Sequence, residues 1–523
     1  VGNVRSGDRI AAASFSAVWD LGRNRQWRYM GGFELVPSDT GWSVRWSPAV
    51  LHPRLSGQER LVLREVPSDP APVVDRAGAP LFTWQTVVTV ALDRSKTPDL
   101  AAVAAPLAAA LAQFDPTITQ QSIIAGANAA PAGAPSAVVT LRENDYQSVR
   151  DRIYDLPGVS FPTQQQLVGP DRNFATQLVR GIRRVVEEQL DNAAGWRVVV
   201  VNSRDEEIET LAAEQPRAVP TLTSTVDRAV QAAAEHALAA VPNPAMIVAM
   251  QPSTGEILAV AQNHPADAQG ALALTGRYPP GSTFKIVTAV AALEAKQVTV
   301  DSPVACPATT IVGERVVPND HLVDLGTVPL RTAFARSCNT TFAQLAARLG
   351  AGALTDAGHQ MGIGLDYDIA GLTTVTGQVP PSESMVRRAE NGFGQGRVLA
   401  SPFGMSLVVA TVAAGGKVPT PVLLRGIQTH MALGPGAPIP REIVDGLRVM
   451  MRETVTQGTA KALGDQGQLF GKTGTAEENP VGTHGWFVGF RGDLAFATLV
   501  VGAGSSGPAL DVSGRFLSAL PPS

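Results

Sequence analysis

Lysine is scarce in this chain. Of 42 Lys and Arg residues only six are lysine (Lys96, Lys285, Lys296, Lys417, Lys461 and Lys472), so arginine fills nearly every cationic position. A guanidinium stays protonated in a folded protein, whereas an ammonium can lose its proton when desolvated, so each lysine kept is a place to look for a base. Net charge is small as well, -4 over 523 residues, which excludes functions that need a strong basic field, nucleic-acid binding among them. Long apolar runs are missing: nothing approaches the roughly 18 residues of a membrane helix, and the alanine-rich stretch from Ala101 to Phe114 is broken by Pro106. The chain starts at Val1 rather than methionine, so the expectation is that a signal peptide or anchor has been removed. Cysteine is limited to Cys306 and Cys338, which make neither a zinc cluster nor a C-x-x-C pair. A disulfide and two buried thiols are both open to them, and thiols are the expectation. The seven histidines are scattered, and H-E-x-x-H, G-x-S-x-G and P-loop patterns are absent, which removes zinc-protease, α/β-hydrolase and nucleotide chemistry.

The length predicts three or four units at roughly 150 residues each. WRYMGGFELV and GWSVRWSPAVLHP alternate apolar and polar residues across a turn at Pro37 to Gly41, a hairpin in a small mixed domain that ends near Pro53. VVDRAGAPLFTWQTVVTVAL predicts strands about a turn at Ala77 and Gly78. A helical alanine run follows, then the low-complexity stretch Gly126 to Pro135, expected as a loop. VVTL, ENDYQSVRDRIYDL and GVSF read as strand, helix and strand; RNFATQLVRGIRRVVEEQL is helical; WRVVVV and EEIETLA form a hairpin about Asn202 to Asp205. Prolines 216 and 220 mark the next boundary. Beyond it, a helix with Val226, Val230, Ala234 and Leu238 on one face precedes a buried hairpin, AMIVAM and EILAVA. QLFGKTGTA, GWFVGF and LAFATLVVG give three strands near the far end. Strands at both ends of a helical middle predict an antiparallel sheet that brings residues near 250 beside residues near 490.

Two of the six lysines fall in short motifs with serine. In GSTFK, Ser282 and Lys285 are three apart on a first helical turn, which puts both on one face with Cβ atoms roughly 5 to 6 Å apart, close enough to share a proton. An isolated S-x-x-K is most often an N-capped helix start. Here SCN follows 55 residues later, at Ser337 to Asn339, and KTGT another 135 on, at Lys472 to Thr475. The ordered set S-x-x-K, S-x-N, K-T-G is that of serine acyltransferases of the β-lactamase and penicillin-binding kind. Ser282 is a poor nucleophile without a neighbouring base, and Lys285 serves only when neutral. Moving a lysine from about 10.4 to near 7 takes about 4 kcal/mol of differential interaction, obtainable from burial and a second cation, for which Lys472 is the candidate.

With those motifs the chain resembles the class B penicillin-binding proteins. TLTSTVDRAVQAAAEHAL, PSTGEILAVAQN, NGFGQGRVLASPFGMSLVVATVAAGGKVPTP and VDGLRVMMRETVTQGTA resemble their transpeptidase domain, and VVDRAGAPL the start of their pedestal. WRYMGGFELV to LHP resembles the NTF2-like extra domain of the actinobacterial penicillin-binding lipoproteins. The likeness departs at one place: the arginine and glycine usual before the pedestal aspartate are absent from SDPAPVVDRAGAP. The resemblance implies a multidomain α+β chain. Residues 1–56 would form an NTF2-like (MecA N-terminal-type) domain lacking its N-terminal part, 57–220 a dimerisation or pedestal domain, and 221–523 a serine β-lactamase/transpeptidase-like domain with an antiparallel sheet flanked by helices.

The resemblance also implies roles. Ser282 is the nucleophile, Lys285 its base, Ser337 the proton relay and Lys472 the second cation. Asn339 holds the donor amide; Lys472, Thr473 and Thr475 meet its carboxylate, with Gly474 leaving room along the strand. The backbone N–H groups of Ser282 and Thr475 form the oxyanion hole. Cys338 is expected to point into packing, His484 to be structural, and the Gln395–Gly396 step to be a tight turn near the site. The implied substrate is a peptidoglycan stem ending in D-Ala-D-Ala, with β-lactams as covalent inhibitors and no metal or cofactor. Divisome or elongation proteins are the implied partners of the N-terminal domains, and the implied location is the outer face of the cell membrane, through an anchor preceding Val1. A β-lactamase or D,D-carboxypeptidase shares the motifs: the first is argued against by the 220 residues before the catalytic domain, the second differs only in its acceptor. A β-lactam sensor would place the domain after membrane spans.

Overall fold

The computed structural model describes residues 2–521 apart from 3, 7–9, 40, 132 and 479–481. The chain forms two compact units, one made of residues 1–71 and 184–221 and the other of 72–183 and 222–523.

In the first unit, strands Val4–Ser6, Ala11–Asp20, Gln26–Ser38 and Gly41–Val44 follow one another in an antiparallel sheet. Its last hairpin is the one expected from sequence, although Thr40 of the expected turn lies outside the described residues. Trp27 pairs across the sheet with Trp19 and packs with Trp196 and Val198. A second sheet runs Glu207–Glu214, Gly195–Val201, Arg60–Val66, so the predicted hairpin about Asn202 gains a third strand from far earlier in the chain.

The second unit opens with a mixed α/β region. Its long strand Pro80–Leu92 pairs with Thr163–Val168, Val73–Val74, Ser136–Arg142 and Val159–Ser160, all antiparallel. Helices Leu100–Leu111, Gln120–Ala129 and Glu143–Ile153 bury Leu107, Leu111, Ile123, Val149 and Ile153 against Val88, Val90 and Leu92. The helix Gln120–Ala129 corrects the expectation of a loop from Gly126. Thr119 closes a capping box with Ser122, and the buried faces of Ile123 and Ala127 hold the helix through Ala129. Only the remainder of the stretch is loop, and its Ala132 lies outside the described residues.

A five-stranded antiparallel sheet forms the rest of the framework, in the order Ile257–Gln262, Ala245–Met250, Leu494–Val500, Gly482–Arg491, Leu469–Glu478. Met250 pairs with Ala495, so the two ends of this region meet as the pattern of apolar runs predicts. Helices Arg228–Leu238 and Gly507–Ala519 cover one face, packing Ala234, Leu238 and Phe516 with Phe496 of the sheet. Pro402–Ala413, buried through Val412, packs against the three sheet strands Ala245–Met250, Gly482–Arg491 and Leu494–Val500, as a helix apolar all round must. Among the described residues no helix is long and apolar enough to cross a membrane.

The expectation of two thiols is overturned: Cys306 and Cys338 form a disulfide, with Cα atoms 5.9 Å apart. The strand Pro303–Cys306 ends beside the loop after the helix Leu330–Ala335, and both sulfurs are buried against Ala333. Geometry that the fold imposes on positions 32 apart was not visible in their spacing. Closing that loop removes about 4 kcal/mol of entropy from the unfolded chain. The non-reduced, unfolded chain should therefore show no free thiol in a maleimide mass shift, and a Cys306→Ser/Cys338→Ser double variant should unfold at lower urea; two labelled thiols would contradict the bridge.

Candidate active site

The sequence turns sharply just before the first motif. Gly281 has φ +53, and its N–H donates to the Gly394 carbonyl at 2.9 Å. Gly394, φ +77, lies so close that a Cβ there would sit 1.9 Å from the Gly281 carbonyl oxygen. Both positions need glycine: φ for its backbone freedom, and proximity for its lack of a side chain. Gly394 is thus the support of the turn that presents Ser282; the expected tight turn at Gln395–Gly396 follows it, with Gly396 at φ +70, and both of its residues line the same cleft as Ser282. A 3-10 turn, Gly281–Phe284, runs into the helix Lys285–Glu294; no side chain caps it, so Ser282 is not an N-cap serine.

Lys285 is fully buried, and its Nζ lies 3.0 Å from Ser282 Oγ, 2.7 Å from the Ser337 carbonyl, 3.2 Å from Ser337 Oγ and 2.7 Å from Asn339 Oδ1. Asn339 Nδ2 donates to the Pro318 carbonyl at 3.2 Å, which fixes its amide with the oxygen toward the lysine. A neutral amine has two N–H donors, and two of the four partners, the carbonyl and the amide oxygen, can only accept. With both donors so used, the lone pair is left for a hydroxyl proton, and Ser282 Oγ is the nearer hydroxyl. Burial, then the neighbouring Lys472 ammonium, holds the Lys285 amine well below the usual lysine range; the Asp320 carboxylate on the cleft wall opposes this.

Ser337 has φ +62, a conformation that costs a non-glycine residue and is kept by its neighbours. Its hydroxyl sits between the amines, 2.9 Å from Lys472 Nζ. Lys472 is also fully buried, donates to the Thr473 carbonyl at 3.1 Å, and is lowered to about 7 by burial. Phe342 and Phe334 rings lie 5.7 and 5.6 Å from the two nitrogens and supply the apolar walls.

Leu469–Glu478 is the edge strand of the five-stranded sheet and carries Lys472 to Thr475. Gly474 is forced by closeness, since a Cβ would meet the Pro280 carbonyl and Thr283 Cγ2 at 2.9 Å. A cleft of about 730 Å³ opens along this edge, lined by Ser282, Ser337, Asn339, Thr473 and Thr475. Its far wall is the 315–323 segment, with Arg315 in ion pair to Glu390 at 3.3 Å. The three motifs therefore meet at one cleft, with Lys285 and Lys472 buried behind the Ser282 and Ser337 that line it, whereas His484 is buried and accepts the Gly502 N–H at 3.2 Å. Cys338 lines the cleft through its place in the loop but is 2% exposed, its sulfur turned into the bridge. Sequence reasoning did not pick out Arg315, Asp320 or Thr459; only the last lay in a segment, QGTA, that carried any signal.

Residues 245–517 match the penicillin-binding protein transpeptidase domain, and residues 2–59 match the NTF2-like N-terminal transpeptidase domain. Curated relatives include the peptidoglycan D,D-transpeptidase PbpA of Mycobacterium tuberculosis, 28% identical over 291 residues covering 48% of this chain and 59% of the relative. Another is the stage V sporulation protein D of Bacillus subtilis, 30% identical over 269 residues, 45% of this chain and 40% of the relative. The chain thus spans 59% and 40% of the length of these two relatives. Among solved structures, penicillin-binding protein PBP2 from Helicobacter pylori, determined in complex with MreC, superposes with a TM-score of 0.64 over 88% of this chain and 99% of that one; at 17% identity it speaks to fold alone.

The buried amines set a pH dependence. For Lys472, between the folded value of about 7 and the unfolded value of about 10.4, the unfolded chain binds a proton that the folded chain lacks. Stability then rises with pH across that window, and the contribution is fully lost below it. Raising pH from about 6 to about 9 should stabilise the wild type more than a Lys285→Met/Lys472→Met variant, read from urea midpoints; equal gains would mean that the amines stay charged.

Proposed function

The chain belongs to the penicillin-binding protein transpeptidase family, and from that membership and the cleft we propose that it is a class B peptidoglycan D,D-transpeptidase, acting through an acyl-serine intermediate that β-lactams trap. The observation that carries the proposal is the contact between Ser282 Oγ and a buried Lys285 amine whose two donors have partners that can only accept.

The chemistry follows from those contacts. The Ser282 hydroxyl passes its proton to the Lys285 lone pair as Oγ attacks the carbonyl of the penultimate D-alanine. Negative charge develops on the carbonyl oxygen, where the backbone N–H groups of Ser282 and Thr475 act as the oxyanion hole, each such donor contributing roughly 2.7 to 4 kcal/mol. The proton held by Lys285 travels through the Ser337 hydroxyl, which lies within 3.2 Å of Lys285 and 2.9 Å of Lys472, to the departing nitrogen. The C–N bond breaks and D-alanine leaves. An amine of a second stem then attacks the ester, gives its proton back along the same path, and releases Ser282. Asn339 orients the donor amide, and Lys472, Thr473 and Thr475 grip its terminal carboxylate beside Gly474.

The domain reading belongs to the same proposal: 1–56 as the NTF2-like part and 221–523 as catalytic domain, supported by the matches at 2–59 and 245–517, with 57–220 between them as pedestal. So does the setting. The substrate lies outside the cytoplasm, and a structural disulfide is of the kind that persists in an oxidising compartment. An elongation-type partner for the non-catalytic part is suggested by the PBP2 likeness alone.

A fluorescent penicillin should label the chain covalently, and Ser282→Ala should abolish the band with unchanged circular dichroism. Lys285→Arg keeps charge and reach but removes the shedding of a proton, so acylation should fall by about 10²- to 10⁴-fold, as for Lys285→Ala. An active arginine variant would remove the base role. With a D-Ala-D-Ala stem peptide and an amine acceptor, mass spectrometry should find the cross-linked product in excess over the hydrolysed one; hydrolysis alone would make the chain a carboxypeptidase.

A further inference from the structure

Thr473 is 4% exposed, and its hydroxyl lies 2.5 Å from that of Thr459, a residue outside the three motifs. Thr459 follows the helix Arg441–Thr456, and its backbone N–H donates to the Ala335 carbonyl at 3.1 Å, two residues before Ser337. The preceding Gly458 permits that approach, since a Cβ there would sit 2.4 Å from the same carbonyl oxygen. Gly458 and Thr459 both line the cleft. One short step of chain therefore braces the loop of Ser337 with its backbone and the strand of Lys472 with its side chain.

We infer that Thr459 is a positioning residue for anion recognition: it donates its hydroxyl proton to Thr473 Oγ1, so that the single proton of Thr473 is aimed at the carboxylate of the bound donor. The inference rests on the reading of Thr473 as a carboxylate contact. The direction of the bond follows from an inventory of protons. Each threonine hydroxyl has one proton and can accept from others, whereas a carboxylate only accepts. Thr473 cannot give its one proton both to Thr459 and to a carboxylate, so with donor bound, Thr459 must be the giver. A chain of two hydroxyls ending on a charge polarises along its length and strengthens the terminal bond. Thr459→Val keeps shape and removes the proton, leaving the Thr473 hydroxyl free to rotate toward a competing acceptor. Thr459→Ser keeps the proton.

The test compares benzylpenicillin, which carries a free carboxylate, with its methyl ester, which does not, by second-order acylation rates on the full chain. The ratio of the two rates cancels general damage to the nucleophile. Thr459→Val should lower the acid-to-ester ratio roughly tenfold, the worth of one charge-assisted hydrogen bond, chiefly through the binding constant rather than the limiting acylation rate. Thr459→Ser should restore the ratio to within about twofold of wild type. Equal losses for acid and ester in Thr459→Val would reduce Thr459 to a packing residue and overturn the inference. Thr473→Val supplies the second arm. If it collapses the ratio while Thr459→Val leaves it intact, the inference fails alone; if neither variant moves it, the carboxylate reading of Thr473 fails first.

Discussion

Two lysine amines buried against phenylalanine rings, with one serine hydroxyl between them, set the terms for everything around the cleft. Removing an ammonium from water costs several kcal/mol unless it is paired, and among the described residues no carboxylate lies within hydrogen-bond reach of Lys285; its neighbours are a carbonyl, an amide oxygen and two hydroxyls. The least costly state is the neutral amine, and a neutral amine beside Ser282 has a lone pair that can take a hydroxyl proton. Lys472 adds repulsion from the far side, which further disfavours a charge on Lys285, and burial lowers its own amine to about 7.

Such an arrangement has to be held by elements that do not yield. Ser282 rides on a turn whose Gly281 touches Gly394 backbone to backbone, so its hydroxyl is located by main-chain hydrogen bonding rather than by a flexible side chain. Ser337 is kept at positive φ in a loop bridged on its next residue by a disulfide and braced through Ala335 by Thr459. Asn319 ties the same wall together, donating to the Pro307 and Val323 carbonyls and accepting the Thr340 N–H. The third side is an edge strand of a fully packed sheet, held in register from Leu469 to Glu478 against its neighbour. Three motifs far apart in sequence are thereby fixed to one another through short, rigid links.

Much of this was legible beforehand because it rests on local chemistry. Continuous apolar runs around 245–262 and 469–500 announced buried strands, and their positions at the two ends of one region foretold the sheet. The lysines of the motifs stood out because arginine was used almost everywhere else. Other features were hidden for physical reasons. The helix Gln120–Ala129 is written in small residues that look like linker, and only its Thr119 cap and two buried side chains give it away. The Cys306–Cys338 bridge depends on a strand and a loop meeting in space, which no spacing rule encodes. Thr459 is unremarkable as a residue type; its part comes from a hydroxyl contact with a residue 14 positions later.

The scarcity that first drew notice also gives the most direct test. With only six lysines, the ε-methylene signals of a chain labelled with ε-¹³C-lysine can be followed individually as pH is raised. One signal, lost in Lys285→Met, should already report a neutral amine well below the usual lysine value of about 10.4. If the Lys285 signal shifts only near that usual value, its amine is an ordinary ammonium at neutral pH, and the account of Ser282 as a base-activated nucleophile is wrong.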